Sequence, residues 1–170
     1  MSNFDAERRR RFEALSTTNV SDAMDALGIR GATYGIRPMW HTMDRVLGPG
    51  AKLKGISGVV IDGACRDLDE CVEVGFSVYA RGTVVATARG RVQEEATNVM
   101  VQFGGVQVRP GDIIMGDKSG VVVVPAERVE EVLEKAESLF QKEEAMVAMI
   151  REGKTMTEMD DAFQYEKMLK

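Results

Sequence analysis

From Gly55 to Pro125 the chain alternates short β-branched runs with glycine turns, and beyond Pro125 it switches to a helical period. Few folds accommodate that order, because strands of four or five residues must be covered by helices or by a second sheet. Strands are predicted over residues 58–61, 77–80, 83–87, 98–102, 106–108, 112–115 and 121–124. One short helix over 68–74 interrupts them, and Pro110-Gly111 and Ser119-Gly120 mark turns. After Pro125, the residues Val129, Val132, Leu133, Ala136, Phe140, Val147 and Ile150 recur at spacings of one helix face, ended by Gly153. The acidic start of that segment (Glu127, Glu130, Glu131) suits the helix dipole. Upstream, residues 4–15 form an amphipathic pattern, and a second helix is predicted over 19–27, stopped by Gly28. Residues 154–170 either add a further helix or fray. The fold class is α/β.

The first strand carries the chemistry. Gly58-Val59-Val60-Ile61 runs into Asp62-Gly63, then Ala64-Cys65, then Arg66 beside Asp67, with Asp69 and Glu70 just beyond. A strand that delivers charge at its carboxyl end is a common way for α/β folds to build a site. Arginine grips an anionic carbonyl compound, and aspartate holds a hard cation. A plainer role fits the same residues. Asp67-x-x-Glu70 is close to a capping box for the 68–74 helix, which leaves Arg66 as an ordinary surface residue. Asp62 and Asp117 are weaker acidic candidates, each better suited to a turn.

Composition removes several classes. A net charge of −5 argues against a nucleic-acid surface, which needs a clustered basic face. The run Arg8-Arg9-Arg10-Arg11 is flanked by Asp5, Glu7 and Glu13 and reads as a solvated helix face more readily than as an anion-binding patch. No apolar run reaches membrane-spanning length and no signal-type segment opens the chain, so a cytoplasmic protein without membrane contact is expected. Cys65 and Cys71 are too few for a disulfide framework or a zinc cluster. Arg66 could lower the Cys65 thiol pKa, but His41, beside Trp40, is the single histidine available to serve it, so buried inert thiols are the expectation. The methionines Met146, Met149, Met156, Met159 and Met168 could form a partner-binding face, core packing or a subunit contact.

Gly58 to Asp67, followed by Val74-Gly75-Phe76-Ser77-Val78-Tyr79-Ala80-Arg81-Gly82, resembles the RraA-like family. Further matches follow in family order: Thr18 to Gly28, Arg45-Val46-Leu47-Gly48-Pro49, Gly104 to Asp112 and Gly116 to Pro125. That family contains divalent-metal-dependent 4-hydroxy-4-methyl-2-oxoglutarate/4-carboxy-4-hydroxy-2-oxoadipate aldolases and regulators of ribonuclease activity. It also contains members once labelled demethylmenaquinone methyltransferases. The resemblance implies one RraA-like domain over 1–170, with its core at about 17–125 and a helical region at 126–170. It also implies a layered α/β/β/α sandwich of the swivelling-domain-like type with a long C-terminal helix, and a homo-oligomer, trimeric or hexameric. The chain departs from the family after Pro49. A long segment normally follows there, with a glycine-rich loop that holds the substrate carboxylate and a helix bearing an acidic residue. Here Gly48-Pro49-Gly50 runs straight into Ala51-Lys52-Leu53-Lys54-Gly55, which reads as the last turn of a helix without its beginning. Asp44 lies in a stretch that matches a different element, so the acidic role is not carried over to it.

By this resemblance the activity is metal-dependent cleavage of a 4-hydroxy-2-oxo acid to pyruvate, with oxaloacetate decarboxylation as a side activity. The cofactor is a divalent cation, Mg²⁺ or Mn²⁺, anchored by Asp67, and Arg66 grips the enolate oxygen or the carboxylate of the 2-oxo acid. Arg66 and Asp67 are the catalytic candidates that transfer. The alternative is a catalytically weak or inactive member that acts as a protein-binding regulator, which the missing segment favours. The methyltransferase label finds no support, because Gly28-x-x-Gly31 is not followed by the helix that an adenosyl-binding loop requires.

Overall fold

The computed structural model describes residues 5–39, 46–49, 58–73 and 75–163. Helix α1 (Ala6–Glu13) starts at Asp5, whose carboxylate accepts the Arg8 amide at 2.9 Å. Helix α2 (Thr17–Ala26) begins two residues before its predicted start, because Ser16 and Asn19 close a capping box. The Asn19 amide donates to Ser16 Oγ at 3.1 Å, and the Ser16 amide donates to Asn19 Oδ1 at 3.0 Å. There follow β1 (Arg37–Pro38), β2 (Val46–Pro49), β3 (Gly58–Cys65), α3 (Leu68–Glu73), β4 (Ser77–Thr83), β5 (Val101–Phe103) and β6 (Val106–Val108). The chain continues through β7 (Ile113–Asp117), β8 (Gly120–Val124), a 3₁₀ turn (Ala126–Arg128), α4 (Val129–Arg151) and α5 (Met156–Phe163). No helix among the described residues is long and apolar enough to cross a membrane.

The strands form two three-stranded sheets, ordered β1-β4-β3 and β2-β7-β8, and a β5-β6 hairpin. β3 and β4 run parallel, joined through α3; β7 and β8 are antiparallel. Strand periodicity then assigns the layers. Ile113 and Met115 of β7 join Val122 and Val124 of β8 in the core that α1, α2, α4 and α5 cover. Ile114 and Val121 turn the other way, onto Tyr79 of β4 with Val60 of β3 beside it. Val78 and Ala80 of β4, with Val59 and Ile61 of β3, face Leu68 and Cys71 of α3. The result is the expected helix–sheet–sheet–helix sandwich. Gly116 makes the inter-sheet layer possible, since a Cβ there would stand 2.8 Å from the Tyr79 ring.

Three expectations change. The predicted strand over 83–87 does not exist as a separate element; β4 ends at Thr83, and Val85 beyond it is 96% exposed. The predicted strand over 98–102 shrinks to the short β5, and Val99 and Met100 stay exposed. β-Propensity measures fit to a pleated, half-buried surface, and this stretch finds no such surface among the described residues. On α4 the buried line runs through Val129, Val132, Leu133, Ala136, Leu139 and Met146, whereas Val147 and Ile150 are exposed. Met146 and Met159 are core residues, Met156 is exposed, and Met168 lies outside the described residues.

Within the arginine run, Arg8 and Arg11 share one face of α1 and reach α4. Arg11 binds Glu137 with two nitrogens, at 2.7 and 2.9 Å, and also pairs with Glu130, to which Arg8 Nε donates at 3.0 Å. Arg11 and then Arg8 hold the Glu130 carboxyl below its ordinary value of 4.5. A lowered folded-state pKa contributes stability that is complete above the unfolded value and fades as pH falls through the folded one. Glu130→Gln should therefore melt slightly below the wild type at neutral pH, with the gap closing under about pH 4. Thermal melts across pH check this, and a gap that persists in acid would remove the charge as its cause.

Candidate active site

β3 and β4 pair in register from Gly58↔Ser77 to Ile61↔Ala80, and then Ala64 pairs with Gly82. β3 therefore carries one residue more than its partner between Ile61 and Ala64, which is a bulge. Asp62 sits in it. Its carboxylate accepts the Gly104 amide at 2.9 Å and pairs with Arg81, and these partners hold its pKa low, Arg81 first. Asp62 thus ties β3 to the β5-β6 turn rather than serving chemistry. Asp117 is also structural. It accepts the Thr17 amide at 2.9 Å and Thr17 Oγ1 at 2.7 Å, which docks the start of α2, and the Ser119 amide at 2.8 Å.

β3 ends at Cys65, and the next two residues are the predicted pair. Arg66 Nε donates to both carboxylate oxygens of Asp67, at 3.0 and 3.1 Å. The two side chains are 45% and 56% exposed. Asp67 has φ +58°, the left-handed region, which costs a non-glycine residue roughly 1 kcal/mol. Short polar side chains such as aspartate tolerate it best. This geometry does not supply the predicted capping box. The carboxylate turns back to Arg66, and the Asp67 carbonyl accepts the Cys71 amide at 3.2 Å. Among the described residues no capping bond runs from its side chain into α3.

Cys65 is buried, and burial is the leading cause that pushes its thiol pKa up. Its Sγ donates to the Gly82 carbonyl at 3.5 Å. An inert thiol is what the sequence led one to expect. Trp40, His41, Asp44, Arg45 and the 50–55 junction lie outside the described residues.

Arg66 opens on a cleft of about 470 Å³ between the β3-β4 sheet and the strap that follows β4. Val59, Ile61, Phe76 and Val78 line one side of it, and Val84 and Ala88 of the strap line the other. Among the described residues its two charged lining groups are Arg66 and Arg91. Sequence reasoning missed Arg91, which stands between two predicted strands and reaches the cleft only because the strap folds back. Asp67 adjoins the cleft through Arg66. Among the described residues no three His, Cys, Asp or Glu side chains come together. One exposed carboxylate fits Mg²⁺ or Mn²⁺, since such ions keep several waters and take oxygens from the substrate. It does not fit a structural or catalytic zinc site, which needs three or four protein ligands.

A family model described as RraA-like, Aldolase/RraA, matches residues 42–123. A Halalkalibacterium halodurans protein provisionally named 4-hydroxy-4-methyl-2-oxoglutarate aldolase is 42% identical over 102 residues, covering 60% of this chain and 48% of the relative. The chain thus spans about half the length of that relative. A crystal structure of an uncharacterised Pseudomonas syringae protein superposes with TM-score 0.86 at 25% identity, over 94% of this chain and 95% of that one. Streptomyces coelicolor RraAS2, titled an unusual member of the RNase ES inhibitor RraA family, shares the fold at TM-score 0.68 and 23% identity, over 85% of this chain and 97% of its own. Over its matched segment this chain is similar to the RraA-like family, and it shares the fold of these neighbours along nearly its whole length.

Proposed function

We propose that this chain is a divalent-metal-dependent pyruvate aldolase acting on 4-hydroxy-2-oxo acids of the 4-hydroxy-4-methyl-2-oxoglutarate type, with oxaloacetate decarboxylation as a side activity. The observation that carries the reading is the Arg66–Asp67 pair at the end of β3, beside an apolar cleft. The provisional names of its relatives support it. In the cleavage, the bond between C3 and C4 breaks and its electron pair passes through C3 to the 2-oxo oxygen. The C4 hydroxyl gives its proton to water as it becomes a carbonyl, and the enolate takes a proton from water at C3 to give pyruvate. Arg66 can place N–H donors where that negative charge develops. A bound Mg²⁺ or Mn²⁺ would supply Lewis-acid polarisation of the 2-oxo acid, and Asp67 is the residue to hold it.

The test is pyruvate release from 4-hydroxy-4-methyl-2-oxoglutarate and from oxaloacetate, with Mg²⁺ and with chelator. Asp67→Asn and Asp67→Gly are the informative variants, because both residues accept a left-handed backbone, whereas alanine would add strain to the chemical change. Chelator-sensitive turnover that both variants lose, at unchanged melting temperature, is the expected result. A folded wild type with no turnover sinks the reading.

The second reading is a protein-binding regulator with little or no activity. Its support is the strap after β4 and the strand that follows, where Val85, Val92, Val99, Met100 and Val101 are all exposed. The same apolar surface suits self-association, and a homotrimer or hexamer is part of our proposal.

A further inference from the structure

We propose that Arg91 is a second anion-binding group of the cleft and makes the site selective for dicarboxylates over monocarboxylates; the proposal rests on the 2-oxo-acid reading of the Arg66 site. The strap that bears Arg91 is fixed at its start, where the Val84 amide donates to the Cys65 carbonyl at 2.8 Å. It then closes a turn, in which the amides of Arg91 and Val92 donate to the Ala88 carbonyl at 2.9 and 3.0 Å. Arg91 Nη1 donates to the Thr87 carbonyl at 2.9 Å. The guanidinium is thereby held against its own turn instead of ranging through solvent. That bond uses one of its five N–H donors.

Among the described residues Arg91 pairs with no carboxylate. Arg66 meets Asp67 through Nε, which leaves its terminal nitrogens for a ligand. Among the described residues Arg66 and Arg91 are the charged residues that line one largely apolar cleft, and Asp67 stands beside it in a pair with Arg66. A ligand with a carboxylate at each end can meet both arginines at once. A monocarboxylate meets one fork and leaves the other without a ligand partner. Arginine suits this task because its planar fork matches a carboxylate with two parallel bonds.

The matched probes are 2-oxoglutarate and 2-oxopentanoate, which share a five-carbon 2-oxo chain and differ in the second carboxylate. Both are titrated calorimetrically, with Mg²⁺ present, into the wild type, Arg91→Gln and Arg91→Lys. The wild type is expected to prefer 2-oxoglutarate by about tenfold or more, Arg91→Gln to lose that preference, and Arg91→Lys to recover part of it. A wild type without the preference, a preference that survives in Arg91→Gln, or an equal loss on both ligands overturns the proposal. Pyruvate release is scored separately. If the wild type cleaves nothing yet shows an Arg91-dependent preference, the aldolase reading falls and the Arg91 assignment stands. If it cleaves 4-hydroxy-4-methyl-2-oxoglutarate equally well with and without Arg91, the reverse holds.

Discussion

Arg66→Lys is expected to lower kcat/KM for pyruvate release by about two to three orders of magnitude in a protein that melts within about 2 °C of the wild type. Both halves follow from where the residue stands. Its side chain is nearly half exposed and its bonds go to the adjacent Asp67, so no packing depends on it. The stability change should therefore be that of a surface substitution. Lysine keeps the charge but loses the planar fork, so it can neither take a carboxylate with two parallel bonds nor hold Asp67 in the same way. Donors aimed at developing charge act chiefly in the transition state, so kcat should fall more than KM rises. Retention of more than about a tenth of the wild-type kcat/KM would remove Arg66 from the reacting centre.

The largest expected loss of stability lies far from that pair, at Gly31. This residue is buried where the chain leaves α2 and runs beside β8; its carbonyl accepts the Val123 amide at 2.8 Å, and Ala32 bridges to Val122. A Cβ at Gly31 would overlap the carbonyl oxygen of Val123 and the Met24 methyl, and would come within 2.9 Å of Met24 Sδ. Met24 can swing aside, but the β8 backbone cannot retreat without breaking its pairing with β7. Gly31→Ala should cost about 3 kcal/mol or more, which lowers the melting temperature by roughly 6–12 °C. A denaturant titration checks this through its midpoint, with the slope unchanged. A loss under about 1 kcal/mol would mean that the segment and β8 can part without penalty.

Periodicity in the sequence exposed the elements that bury a face within this chain. α4 could be read from Val129, Val132, Leu133 and Ala136, and β8 from its four valines, because each meets its partner inside the described residues. The strap after β4 misled for the opposite reason. Its valines carry strand propensity, but no neighbour among the described residues supplies the pleated surface on which that propensity acts. At the candidate site, the strand end that delivers Arg66 and Asp67 in order was legible, and their proposed roles rest on the family resemblance. The left-handed backbone at Asp67 was not, since many aspartates stand before short helices and few adopt it. Arg91 was illegible for a third reason. Its place in the cleft depends on a turn that brings the strap back across β3, and local spacing does not record such a return.

The link between β3 and β4 has a mechanical consequence. Residues 66–76 are all the chain available to cross from the end of one parallel strand to the start of the next, and six of them are spent on α3. Parallel crossovers ordinarily use about a dozen residues or more. Five residues remain to make both of its turns. Arg66 and Asp67 stand at its anchored end and have no spare chain with which to follow a ligand in or out. The opposite wall, the strap that bears Arg91, is tied at its start and within its own turn but joins no sheet among the described residues, so adjustment to an incoming molecule falls to it before it falls to the reacting groups.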